Sequence, residues 1–231
     1  MNQEFLDKVH ARGYWRIIAR PSDYQKERIE SLSKCYELVQ GSTVRLRGWD
    51  YPHTEANALI YGQNYLESSS EFGSNKEIWR IYQSGQFVHH IAMREDWQEE
   101  DIRIFGGKSE ALGFKGLDFI NTLYCITEIV EFITRMATKK VLGNSVYIRI
   151  ELHDTQNRRL FSWGNRRIIS PNRICDIPEI VIEQTYDVLS LTAKSAEISM
   201  GMTLFALERF KLSTTAEVLK EEQENFLKGL I

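Results

Sequence analysis

The sequence predicts an α+β protein in which mostly antiparallel sheet packs with a long central helix and two C-terminal helices. Several short stretches alternate apolar and polar residues or are rich in aromatic and β-branched residues, as strands are. Segment 117–140 repeats apolar side chains at intervals of three and four residues, which is typical of a buried helix. The strands are grouped between helices instead of alternating with them, which favours α+β over a parallel α/β sheet.

In the first half, we predict a short helix over 2–11 and a strand over 14–20 that Pro21 ends. Helical spacing of apolar residues through 23–40 predicts a helix that stops at Gly41. Together with a strand over 42–47, these elements form a split β-α-β opening. Further strands at 59–66 and 78–83 are joined by a polar loop over 67–76, and Ser84-Gly85 has the composition of a tight hairpin turn.

An acidic run over 95–101 and four glycines between 106 and 116 mark a boundary. The long helix follows. After it we place strands at 145–152, 159–163 and 180–186 and two C-terminal helices at 190–210 and 216–228. The chain is therefore interpreted as two α+β subdomains, 1–105 and 106–231, or as one continuous domain.

Composition limits the possible functions. The formal net charge of −3 excludes a globally basic nucleic-acid binder but allows local basic patches. Cys35, Cys125 and Cys175 are widely separated and no CxxC spacing occurs, so we expect reduced thiols in a cytoplasmic protein. The N-terminal residues lack the pattern of a signal peptide, and charged residues interrupt the most apolar segment, so no membrane partner is predicted.

A first candidate binding surface lies in the predicted opening strands. Arg16 and Arg20 share one face of the first strand, and Arg45 and Arg47 share one face of the second. If the strands are neighbours, four guanidinium groups form one surface beside the aromatic residues of the 46–53 block, LRGWDYPH, which are Trp49 and Tyr51. Guanidinium groups bind phosphate and aromatic rings stack on bases. The alternative is a solvated sheet face neutralised by nearby glutamates.

A second candidate surface lies in 156–175, which contains no carboxylate. Its arginines are interleaved with aromatic side chains, a pattern typical of local contact with a polyanion. The predicted contacts are Arg158, Arg159, Trp163, Arg166 and Arg167. Alternatively, these arginines pair with flanking carboxylates such as Glu151 and Glu179.

Catalytic and metal-binding motifs are absent from the sequence. His89 and His90 are adjacent on a strand and point to opposite faces, and no HExxH, GxSxG or phosphate-loop spacing occurs. We therefore predict no metal and no cofactor. An enzyme is not required, although Asp50 and His53 beside the arginines suggest a nuclease or phosphohydrolase as an alternative.

The last helix offers a different kind of partner. Its apolar residues surround a charged centre, EEQEN (221–225). Packing on the rest of the chain explains this pattern. Docking to another protein chain is the alternative, as in a structural subunit of a larger defence-type assembly.

Several sequence blocks resemble an uncharacterised bacterial region that follows an N-terminal Schlafen-type, Alba-like domain assigned to nucleic-acid binding. The blocks are RGYWRIIARP (12–21), STVRLRGWDYPH (42–53), WRIYQSGQFVHH (79–90), REDW (94–97), TEIVEF (127–132) and ALERF (206–210). The resemblance covers nearly the whole chain, but the Alba-like domain is absent from it. It implies a bacterial cytosolic accessory or sensor domain and no particular reaction.

These observations together predict a non-enzymatic ligand-binding or interaction domain. The predicted ligand is a nucleic acid or a nucleotide, held by one of the two arginine-rich surfaces. The alternatives are a nuclease-type enzyme and a subunit of a protein assembly.

Overall fold

The computed structural model describes residues 1–105, 113–163 and 169–230. Across these residues the helices are α1 (Gln3–His10), α2 (Leu32–Gln40), α3 (Gln98–Phe105), α4 (Phe119–Thr138), α5 (Val188–Ala193), α6 (Ser195–Glu208) and α7 (Ala216–Leu227). The strands are β1 (Tyr14–Pro21), β2 (Ile60–Tyr61), β3 (Tyr65–Phe72), β4 (Asn75–Tyr82), β5 (Phe87–Ala92), β6 (Gly116–Asp118), β7 (Ser145–His153), β8 (Arg159–Phe161) and β9 (Glu179–Asp187). The α+β class predicted from the sequence is confirmed.

A seven-stranded antiparallel sheet in the described residues has the strand order β2-β3-β4-β5-β1-β7-β9. Strand β1 lies between β5 and β7, so it joins strands from the first half of the chain to strands from the second half. The short strands β6 and β8 pair in parallel as a separate two-stranded sheet.

The two faces of the large sheet differ in burial. Trp15, Ile17 and Ala19 of β1 are buried on one face, which we call the covered face. Helix α4 lies against it, where Phe132 contacts Phe87 with ring centroids 4.8 Å apart. Arg16 and Arg20 point to the opposite, open face, because side chains alternate along a strand.

Helix α4 is the centre of the core. Asp118 caps its first turn by accepting a hydrogen bond from the backbone N–H of Asn121 at 2.6 Å. Helices α6 and α7 pack against it, and the ring of Phe226 in α7 stacks on Tyr124 at 4.1 Å. Because α4 is covered by the sheet on one side and by helices on another, its apolar stripe is wide, as the sequence predicts.

The predicted strand over 42–47 is wrong. This segment is a loop that folds back on itself through a single pair of hydrogen bonds between Val44 and Tyr51, at 2.7 and 2.9 Å. Because residues 42–47 join no strand of either sheet in the described residues, the split β-α-β opening does not form. The helix predicted over 23–40 begins only at Leu32, where Ser31 accepts a hydrogen bond from the N–H of Lys34.

The polar loop predicted over 67–76 is also wrong, because most of it forms the β3–β4 hairpin. Ser68 and Ser70 are buried opposite Trp79 and Glu77 of β4. The turn itself is confined to the residues around Gly73, which has a φ of +56°. Serine-rich composition predicted a loop, but cross-strand pairing satisfies the backbone of these residues.

The remaining elements follow the predictions more closely. The helix expected over 190–210 is divided at Lys194 into α5 and α6, and the strand expected over 159–163 ends at Phe161. The hairpin at Ser84-Gly85 is present, with Gly85 at a φ of +86°. Within the described ranges, no helix combines the length and the apolar character needed to cross a membrane.

Candidate functional site

The 46–53 block lies against α4, and Arg47, Trp49 and Tyr51 direct their side chains into the protein. Arg47 donates hydrogen bonds to both carboxylate oxygens of Glu128, from Nε at 3.0 Å and from Nη2 at 2.6 Å. The Glu128 side chain is only 2% exposed. Arg47 is thus half of a buried, bidentate ion pair, and it is not part of a surface patch.

The aromatic residues of the same block make further buried contacts, with Glu77 and His89 of the sheet. The indole N–H of Trp49 donates to Glu77, and the Trp49 ring stacks on His53 at 4.1 Å. Tyr51 is buried, and its hydroxyl lies 3.3 Å from Nδ1 of His89, whose Nε2 lies 2.7 Å from Glu77. A connected set of polar groups therefore joins the block to the covered face of the sheet.

Arg47 connects this polar set to a neighbouring cavity. Its Nη1 donates to Oδ1 of Asn121 at 2.7 Å, and the Asn121 amide donates to Oε1 of Glu95 at 3.2 Å. Glu95 follows the end of β5 and lines a cavity of about 280 Å³. We call it the Glu95 cavity, and its other lining residues are Ser74, Arg94, Gln98, Asp101, Asn121 and Trp163.

The Glu95 cavity is built where four local structures meet. Ser74 belongs to the β3–β4 turn, Gln98 to the start of α3, Asn121 to the first turn of α4, and Trp163 follows β8. The turn is fixed on α3 because Asp101 accepts a hydrogen bond from the N–H of Ser74 at 2.7 Å. A side chain at Gly73 would collide with the Asp101 carboxylate, since a Cβ there would lie 2.2 Å from Oδ1.

Two buried oxygen atoms in the cavity lining have no hydrogen-bond partner in the described part of the chain. They are Oε2 of Glu95 and Oε1 of Gln98. Glu95 is only 7% exposed, and its Oε1 already accepts from the N–H of Asp118 at 3.0 Å. An unpaired buried acceptor costs about 1–3 kcal/mol. When Glu95 is ionised, both oxygens can accept N–H groups from a ligand.

Burial is the main cause that raises the pKa of Glu95 above its ordinary value of 4.5. The negative charge of Asp118 raises it further, while backbone hydrogen bonds and the charge of Arg158 oppose the shift. Glu95 consequently holds a proton to higher pH than an exposed glutamate does.

The rim of the cavity has a cation and an aromatic ring. Arg94 is exposed, and the one hydrogen bond of its side chain to the described residues runs from Nε to the Ser74 hydroxyl at 3.4 Å. Trp163 is 42% exposed and packs edge-on against Phe161 at 5.0 Å. A guanidinium group and an indole ring therefore stand beside the two unpaired acceptors.

The first predicted surface is not brought together by the structure. Arg16 lies on the open face and pairs with Glu151 at 3.2 Å, while Arg20 stacks its guanidinium over Tyr147 at 5.0 Å. Arg45 pairs with Asp50 at 3.0 Å, and Arg47 is on the covered side. The arrangement depended on a strand at 42–47, which does not form.

The second predicted surface is divided as well. Arg158 is fully buried and donates to both oxygens of Asp96, at 2.8 and 2.7 Å, in a space that Gly13 leaves open.

The other predicted contacts of this surface lie elsewhere. Arg159 lies over the ring of Phe114 at 4.6 Å. Trp163 lines the Glu95 cavity. Arg166 and Arg167 lie outside the described residues.

Sequence reasoning missed the central residues of the cavity. Glu95 and Gln98 belong to the acidic run that was interpreted as a boundary, and Asn121 was counted only as part of the long helix. The feature that could have indicated them is REDW (94–97), a charged and aromatic block close after the end of β5.

Comparisons with known proteins add no assignment. No family model, curated protein or solved structure matches the chain significantly. The resemblance described from the sequence blocks therefore stays a prediction.

Proposed function

We propose that this chain is a non-enzymatic ligand-binding domain whose Glu95 cavity takes the base of a nucleoside or nucleotide. The observation that carries the proposal is the pair of unpaired buried acceptors, Glu95 Oε2 and Gln98 Oε1, in one cavity. A ligand with at least two N–H donors satisfies both. Nucleobases with an amino group supply such donors on a flat ring.

The rim supports the same class of ligand. The exposed indole of Trp163 offers a face for stacking, which contributes about 1–3 kcal/mol per base. The exposed guanidinium of Arg94 matches a phosphate group that remains near solvent. The cavity volume of about 280 Å³ is just below the range of about 300–1,000 Å³ for small-molecule sites, which favours a mononucleotide over a polynucleotide.

The cavity is also held in shape before any ligand binds. Asn121 is fixed between Arg47 and Glu95, and Arg47 is fixed by the buried Glu128. Preorganised polar groups lower the ordering cost of binding. The buried ion pair of the 46–53 block thus supports the cavity without touching the ligand.

The alternative functions have less support. Asp50 pairs with Arg45, and neither Asp50 nor His53 is among the described residues that line the Glu95 cavity. In α7, Leu219 and Phe226 are buried against the rest of the chain, and Val218 stays exposed. A protein partner at α7 remains a prediction.

Isothermal titration calorimetry with AMP, GMP, CMP and UMP tests the proposal. We expect saturable binding of the amino-bearing bases and the weakest binding for UMP, whose base has no amino group. Glu95→Gln should weaken binding by roughly tenfold or more, because a hydrogen bond to a charged group contributes about 1.5–3 kcal/mol.

The matched control is Glu131→Gln, a carboxylate of α4 that pairs with Arg135 away from the cavity. It should bind as the unmodified protein does. Absence of saturable binding for all four nucleotides, or equal affinity of Glu95→Gln and the unmodified protein, would contradict the proposal.

A further inference from the structure

A second group of polar side chains lies on the open face of the sheet, away from the Glu95 cavity. Glu151 and His153 are two residues apart on β7, and Glu179 of β9 is directly opposite His153. Nε2 of His153 lies 3.0 Å from a Glu151 oxygen and 3.6 Å from a Glu179 oxygen. One ligand atom from each residue lies within 4.8 Å of the others.

These separations match the spacing of ligand atoms around a bound transition-metal ion. Zinc bonds to nitrogen and oxygen are about 2.0–2.2 Å long, so two ligands of a tetrahedral ion are about 3.3–3.5 Å apart. The distances from the His153 nitrogen to the two carboxylates lie on either side of that value. A small rotation of the Glu179 side chain, which is 38% exposed, changes the longer of the two distances.

The ring of His153 is held in position. Tyr14 stacks on it with centroids 4.3 Å apart and planes 10° apart, and the other side of Tyr14 is stacked on His10 at 3.9 Å. Stacking keeps the Nε2 edge directed at the carboxylates. Orientation of a histidine by its neighbours is a general feature of metal sites.

Glu151 is held as well. It is 1% exposed, and its Oε1 accepts a hydrogen bond from Nε of Arg149, which leaves Oε2 directed at His153. Arg16 also reaches Oε2, at 3.2 Å. The Arg16 side chain is 41% exposed, so it can turn to solvent when a cation takes its place. Glu179 has no other ion-pair partner among the described residues, and its charge is available to the cation.

We propose that Glu151, His153 and Glu179 form a binding site for a divalent transition-metal ion of the Zn²⁺ class. One imidazole nitrogen and two carboxylates favour such an ion over Mg²⁺, which prefers oxygen ligands alone. Three protein ligands leave a coordination position for water or for an oxygen of a bound anion. The sequence predicted no metal because the ligands come from two strands and share no short motif.

Calorimetric titration of the chelator-treated full chain with ZnCl₂ tests this site. We expect one saturable site per chain and a loss of affinity of at least roughly tenfold in both His153→Ala and Glu179→Gln, since even outer-shell changes at metal sites cost about 10–100-fold. Binding of Co²⁺ should give visible absorption bands that both variants lack. Circular dichroism checks that the variants are folded.

Glu183→Gln is the matched control, because Glu183 is on the same strand and face as Glu179 but pairs with Arg149. It should retain zinc binding. No saturable binding by the unmodified chain would overturn the proposal, as would zinc binding that keeps its affinity in both His153→Ala and Glu179→Gln. Nucleotide titrations of His153→Ala separate the two sites, since the Glu95 cavity should be unaffected.

Discussion

The covered face and the open face of the sheet both combine arginines with glutamates, but the surroundings differ. On the covered side, Arg47 and Glu128 form a pair in which the carboxylate is 2% exposed and the guanidinium holds Asn121. On the open face, Glu151 is shared between Arg16 and Arg149, whose side chains reach solvent. The first arrangement fixes the shape of a cavity, whereas the second leaves side chains free to rearrange around a cation.

The contrast is also visible within one short segment. Arg45 and Arg47 are separated by one residue, yet Arg45 pairs with Asp50 in solvent while Arg47 is directed into the protein. Burial, and not residue type, decides what each arginine contributes. Exposed pairs contribute about 0–1 kcal/mol, while breaking a buried pair costs about 3–5 kcal/mol.

The largest expected effect is therefore at the Arg47–Glu128 pair. Glu128→Ala leaves the Arg47 charge buried without its partner, and we expect it to lower the free energy of unfolding by about 3–5 kcal/mol. Urea denaturation measures this change. The double variant Arg47→Met with Glu128→Leu should recover most of the loss, and failure to recover it would show that packing, not charge, is responsible.

A similar comparison holds for the adjacent Arg158 and Arg159. Arg158→Met should lower the free energy of unfolding by about 3 kcal/mol, because it leaves Asp96 without its bidentate partner. Arg159→Met should cost no more than about 1 kcal/mol, since the side-chain contact that Arg159 makes within the described residues is with the Phe114 ring. Equal losses in the two variants would contradict the burial difference.

Glu95→Gln should raise the free energy of unfolding, by a smaller amount than the losses expected for Glu128→Ala and Arg158→Met. The pKa of Glu95 is raised in the folded chain, so the folded state binds its proton more tightly than the unfolded state does. Its contribution to stability is therefore lost as pH rises from about 4.5 through the raised pKa. The glutamine variant lacks this loss, so at pH 7 it should be more stable by about 1–3 kcal/mol.

Thermal unfolding of Glu95→Gln and the unmodified chain between pH 4 and pH 8 measures this difference. The two melting curves should converge toward pH 4 and separate as pH rises. A variant that is less stable than the unmodified chain at pH 7 would show that Glu95 is already satisfied within the protein.

The smallest effects are expected on the exposed arginines. Arg45→Ala and Arg20→Ala each remove one solvent-exposed contact, to Asp50 and to the Tyr147 ring. Each should change the free energy of unfolding by no more than about 1 kcal/mol. A loss above about 2 kcal/mol in either variant would mean that the surface contacts are stronger than their exposure implies.

Sequence periodicity predicted the elements that local patterns determine. Helix α4 has a long apolar stripe and the β4–β5 hairpin has a glycine turn, and both are present. Segment 42–47 has an equally strand-like pattern, but β1, its expected neighbour, pairs instead with β5 and β7, which are far away in sequence. Local pattern cannot report which edge of a strand is already occupied.

The candidate site was predictable only in part. The charged and aromatic residues of the 46–53 block indicated an important region. Arg47 does contact Asn121 of the cavity lining, whereas Trp49 and Tyr51 contact Glu77 and His89 outside that lining. The unpaired oxygen of Glu95 depends on the meeting of a turn, two helices and a strand end. Such a site has no spacing that sequence analysis could recognise.

The most direct test of the nucleotide proposal is a ¹⁵N NMR titration of the full chain with GMP. We predict shifts that saturate and cluster at Ser74, Glu95, Gln98, Asn121 and the indole N–H of Trp163. Saturable shifts confined to the open face, around Arg16, Arg20 and Tyr147, would contradict the account and identify the exposed arginines as the binding surface.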